Sequence, residues 1–116
     1  MTDREAAGGV IREQRAAPRA SLKKCATLAT ANGVAMDVRT ADISLGGMGV
    51  IADSPLVPGQ SCMVQIESCV DNQKKQMLMR GTVAFCLFIA TEGFRIGIRA
   101  NQFDPDLIQF IQRLFQ

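Results

Sequence analysis

Apolar and polar positions alternate with a period of two through most of this chain, and the pattern gives way at both ends. Leu22, Ala26 and Leu28 share the inward face of a first strand, although Lys23-Lys24 blurs its alternation. Val34, Met36 and Val38 alternate cleanly with Ala35, Asp37 and Arg39, which predicts a half-buried strand. A short strand passes through Val50 and Ile51, and Cys62, Val64 and Ile66 alternate with Met63, Gln65 and Glu67. The longest candidate runs from Gln76 to Ala90, with Met77, Met79, Val83, Phe85, Leu87 and Ile89 on one parity. Phe94, Ile96 and Ile98 against Arg95, Gly97 and Arg99 complete the set. Gly46-Gly47, Ser54-Pro55, Pro58-Gly59 and Asp71-Asn72 punctuate the connections. Six short strands joined by such turns predict a small antiparallel barrel or sandwich.

The period changes at the carboxyl end. Asp104 suits an N-cap, Pro105 the first helical position, and Asp106 complements the helix dipole. Leu107, Phe110, Ile111, Leu114 and Phe115 then recur at helical spacing. This amphipathic helix would either close one mouth of a barrel or mediate dimerisation, and the closing role is favoured. At the other end, residues 1–14 carry Gly8-Gly9, mixed charges and no sustained period, and read as a flexible tail. One domain over residues 15–116 accounts for the rest.

Composition narrows the functional classes. The 116 residues suffice for one domain, and 47% hydrophobic with 21% charged residues is ordinary for a soluble globular protein. A net charge of +2 falls well short of a general nucleic-acid binder. That small excess is polarised, because Arg4, Arg12, Arg15 and Arg19 all lie near the amino end. Cys25, Cys62, Cys69 and Cys86 show no Cys-x-x-Cys spacing, and no histidine exists to complete a zinc site, so no metal is expected. The thiols are expected to be free, buried and reduced. No apolar run approaches the roughly 18–20 residues that span a bilayer, and the first residues do not read as a signal peptide. A cytoplasmic protein without membrane attachment is the expectation. The absence of histidine also removes the commonest general base and the Ser-His and Cys-His nucleophiles. No carboxylate pair stands out either, so an enzyme is not expected.

Two short segments stand apart from the strand pattern. Arg15-Ala-Ala-Pro-Arg19 places two guanidinium groups four residues apart, and Pro18 disfavours helix at Ala17. Asp42-Ile-Ser44-Leu-Gly46-Gly47 is an Asp-x-Ser-x-x-Gly segment between two strand-like runs. In their order, separation and strand context the two resemble the PilZ family of cyclic di-GMP receptors, which pairs Arg-x-x-x-Arg with Asp/Asn-x-Ser-x-x-Gly. The Arg95-to-Arg99 strand and the final helix also fit it. The resemblance implies an all-β fold: a small six-stranded antiparallel β-barrel with a C-terminal α-helix and a flexible N-terminal arm.

It further implies a ligand-binding set of Arg15, Arg19, Asp42, Ser44 and Gly47. Arginine forks match a phosphate or the guanine O6/N7 edge, and their faces stack on bases. Asp42 would accept from guanine N–H groups, its alternative being an Asx-turn cap. Ser44 would donate to a phosphate or a base edge, its alternative being a local turn bond. Gly47 would supply a positive φ or a close approach of ligand to backbone. Arg95 and Arg99 share one strand face and read as exterior charges, and Met77 and Met79 as core filling.

The function so implied is a cyclic di-GMP receptor that orders its N-terminal arm on binding and signals through an unidentified protein partner. Motility, exopolysaccharide and pilus machinery are the candidate outputs, with no separate cofactor. The alternative is a PilZ-like adaptor that acts through protein contacts and binds no nucleotide. A small oligonucleotide-binding barrel fits poorly, because the chain has six phenylalanines but no tyrosine or tryptophan and little net charge.

Overall fold

A computed structural model describes residues 18–70 and 72–115. Its elements in chain order are β1 (Ala20–Ser21), β2 (Cys25–Thr30), β3 (Ala35–Ser44) and β4 (Gly47–Ala52), then β5 (Ser61–Val70), β6 (Gln73–Ile89), β7 (Gly93–Phe103) and helix α1 (Pro105–Leu114). The expected flexible tail over residues 1–14 lies outside the described residues, as does Arg15.

Hydrogen bonding runs β3-β2-β5-β6-β7-β4, and β4 pairs back onto β3 to close the ring. Every pairing is antiparallel. The expected six-stranded barrel is therefore the observed one. Closure leaves no free edge within the ring, which removes the usual liability of an open sheet. The two-residue strand β1 lies outside it, paired only to β3 through Ala20↔Ile43 and Ser21↔Asp42. Two residues carry no readable period, so the sequence does not announce this strand.

Inward-facing residues fill the barrel: Leu28, Ile43, Met48, Val50, Val64, Ile66, Met77, Met79 and Ile96 are all essentially inaccessible. Each such side chain contributes roughly 1.5–3 kcal/mol by leaving water. The helix completes this core. Asp104 accepts from the Asp106 N–H at 3.5 Å, Pro105 opens the first turn, and Leu107 and Ile111 are fully buried within the barrel's own cluster. Phe110 packs against that cluster, whereas Leu114 and Phe115 remain exposed. The apolar face is thus spent on the core in its first two turns only.

The structure departs from the expectations at three places. Asp42 and Ser44 belong to strand β3 rather than to a turn, and Leu45-Gly46 alone make the hairpin corner. In β6, Met77, Met79 and Val83 point inward as expected, but a register shift between Val83 and Phe85 interposes Ala84. One extra residue reverses the facing of all that follow. Phe85 is therefore 43% and Leu87 56% exposed, where the parity predicts core. Finally, the cysteines are free but not uniformly buried: Cys62 is buried, Cys86 half-buried, and Cys25 and Cys69 are exposed. Burial pushes the Cys62 thiol pKa above its ordinary value of 9.0.

Candidate functional site

The site lies on the outer face of the barrel, where β3, β4, β7 and β6 run side by side. Ile43 faces the core, so Asp42 before it faces out. A register shift between Thr40 and Asp42 sets the carboxylate opposite Gly49. Gly49 pairs onward with Gly97, and Gly97 with Phe85. The result is one exterior row, Asp42-Gly49-Gly97-Phe85, crossing four strands. The missing side chains at its centre decide its shape. The Gly49 N–H donates to Asp42 Oδ1 at 3.2 Å, and a Cβ on Gly49 would stand 3.0 Å from that oxygen. At Gly97 a Cβ would overlap the Phe85 ring.

Arg19 reaches this row because β1 hangs on β3 with Ser21 opposite Asp42. Its Nε and Nη2 both donate to Asp42 Oδ1, at 3.2 and 2.6 Å. Arg95, on the same outward face of β7 as Gly97, donates from Nη2 to Asp42 Oδ2 at 3.0 Å. One carboxylate, only 22% exposed on its side chain, thus carries two guanidinium groups. The local sum is positive, and Arg99, outward-facing and paired with Gly47, adds to it. Chemically the patch offers a fixed acceptor for paired N–H donors beside cations able to meet phosphate.

The other expected site residues take more local roles here. Ser44 is fully buried, and its Oγ accepts from the Gly46 N–H at 3.0 Å, which is the turn bond. Gly47 is not at positive φ; among the described glycines those are Gly33, Gly59 and Gly93. Its reason is crowding, since a Cβ there would overlap the Ile98 carbonyl oxygen on β7.

Arg95 is the residue that sequence reasoning missed. It is no solvated exterior charge but an ion-paired neighbour of Asp42, 53 positions away. Alternation puts it on an outer face, yet only the closed strand order says which outer face. Among the described residues no cluster of three or more His, Cys, Asp or Glu side chains is placed to hold a metal. None of the described helices is long and apolar enough to cross a membrane.

The PilZ domain profile matches residues 13–116. The chain belongs to the PilZ domain family. PilZ domains are regulatory binding domains, and the family is one of cyclic di-GMP receptors. Solved structures share the fold. The Bacillus subtilis inhibitor of motility MotI/DgrA superposes with a TM-score of 0.70 at 14% identity, over 85% of this chain and 48% of that one. The present chain thus spans about half the motility inhibitor's length. The PilZ domain of YcgR from Escherichia coli, solved with cyclic di-GMP, gives 0.55 at 16% identity, over 84% and 86% of the two chains. The PilZ domain of CeSA from a cellulose-synthesizing bacterium gives 0.50 at 21% identity, over 84% and 93%. No curated protein gives a significant match.

Proposed function

We propose that this PilZ domain is a cyclic di-GMP receptor whose binding set is Arg15, Arg19, Asp42, Ser44 and Gly47. The observation that carries the reading is the contact between Arg19 and Asp42, one from each motif, 23 positions apart on the barrel exterior. A fold that needed either motif only locally would have no reason to bring them together. Asp42 would accept from a guanine edge, while Arg15 and Arg19 would take the phosphates and stack on the bases. Ser44 and Gly47 would hold the hairpin against which the ligand rests.

Binding would order the amino-terminal arm across this face and change what a protein partner meets there. The partner would belong to motility, exopolysaccharide or pilus machinery in a bacterial cytoplasm. The fold shared with a motility inhibitor supports the first of these as the place to begin. No reaction and no separate cofactor enter this reading.

Titration calorimetry with cyclic di-GMP, cyclic di-AMP, GTP and a short single-stranded oligonucleotide tests it. Cyclic di-GMP should bind far more tightly than cyclic di-AMP, because the guanine edges match arginine and carboxylate where adenine does not. Equal affinity for both would mean that only phosphates are read. No binding by the folded protein would favour the adaptor that acts through protein contacts alone.

A further inference from the structure

We propose that Arg95 is a positioning residue of this site: it anchors Asp42 through Oδ2, so that Arg19 on Oδ1 is the partner a guanine edge displaces. The inference rests on the receptor reading above and assigns a role to a residue outside both motifs.

The three partners of Asp42 are unequally held. Arg95 belongs to β7 and Gly49 to β4, both strands of the closed ring. Arg19 precedes a two-residue strand attached to β3 alone, and its side chain is 49% exposed. Of the three, Arg19 is therefore the one that can leave without disturbing the barrel.

The chemistry of the exchange is like for like. Arg19 presents two N–H donors from a planar N–C–N unit to one carboxylate, through Nε and Nη2. The N1–H and N2–H of guanine form the same planar array with two donors. Adenine offers an acceptor at N1 and has no amino group at C2. A guanine edge can replace Arg19 on Asp42, which frees the Arg19 guanidinium for a phosphate.

That exchange substitutes a neutral group for a cation. A carboxylate as covered as Asp42 would then lose one of its two counter-charges, and desolvation would make losing both costly. Arg95 supplies a counter-charge that stays in place throughout, and its Oδ2 contact holds the carboxylate's orientation. Guanine selectivity should accordingly depend on Arg95 through its hold on Asp42.

The test is calorimetry of cyclic di-GMP and cyclic di-AMP against the wild type, Arg95→Ala, Arg95→Lys and, as control, Arg80→Ala on the β5–β6 side of the ring. Arg95→Ala should lose about ten- to a hundredfold in cyclic di-GMP affinity, the range for one hydrogen bond to a charged group. Its preference for cyclic di-GMP over cyclic di-AMP should shrink, Arg95→Lys should restore part of both, and Arg80→Ala should change neither. An Arg95→Ala protein that melts earlier but keeps the wild-type preference would make the residue merely structural and overturn the proposal. Unchanged affinity would overturn it as well. Absence of binding by the wild type would instead bring down the receptor reading, and this role with it.

Discussion

Phe85 lies across Gly97 on the outside of the barrel, at the end of the row that begins with Asp42. The Ala84 bulge turns the ring outward, and the missing Cβ at residue 97 lets it sit on the backbone. Close approach, rather than backbone conformation, is what this glycine and Gly47 provide. The two should nevertheless respond differently to substitution. At residue 97 a Cβ meets a side chain that is already 43% exposed and can swing away. At residue 47 it meets the backbone oxygen of Ile98, which the β4–β7 pairing holds in place. Gly97→Ala should fold with a cost under about 1 kcal/mol, whereas Gly47→Ala should lose about 1–3 kcal/mol or more, as overpacking does. Denaturant unfolding of the two variants checks the order.

Arg19→Ala separates binding from stability. The Arg19–Asp42 pair is half exposed on the arginine side and screened by water, so its removal should cost under about 1 kcal/mol of folding free energy. Binding of cyclic di-GMP should weaken by about 1–3 kcal/mol, the range for one good bidentate contact. Calorimetry beside a urea melt gives both numbers. A variant that unfolds while its folded fraction binds normally would make Arg19 a structural residue.

The helix should prove part of the barrel's core. Leu107 is fully buried, and truncating such a side chain costs about 2–5 kcal/mol. Leu107→Ala should therefore lower the unfolding midpoint of the whole domain in one cooperative transition. Leu114→Ala, at an exposed position on the same helix, should cost far less. Equal effects would show that the helix packs elsewhere.

Cys62 introduces an alkaline weakness. Burial raises its thiol pKa above 9.0 in the folded state, so the neutral form is the one the fold holds. Below the ordinary thiol value both states keep the proton, and the thiol costs nothing. Above it the unfolded chain ionises first, so stability should fall as pH climbs toward the raised value. Cys62→Ala should remove that part of the loss in alkaline melts. At neutral pH iodoacetamide should label Cys25 and Cys69, which are exposed, and reach Cys62 only on unfolding.

Part of the candidate site was legible in the chain. Both motifs were readable, and the structure sets Arg19 of one against Asp42 of the other. Arg95 was not readable as part of it, because nothing local to residue 95 names its partner. The reach of Asp42 came out differently too: an Asx-turn bond closes on neighbouring residues, whereas this carboxylate bonds to Gly49 on the adjacent strand.

By itself the sequence determined the six strands of the ring, the final helix and most of the core. Period-two alternation, turn residues and the Asp104-Pro105 start dictate strands and a final helix, because those signals act between residues close in the chain. Tertiary structure alone decided which way the bulged half of β6 faces, that β4 closes onto β3, and that Arg95 comes to Asp42. A bulge is one unpaired residue with no compositional mark, and strand order depends on pairings between distant segments. Which outer face an arginine shares with an aspartate is settled only when the ring shuts.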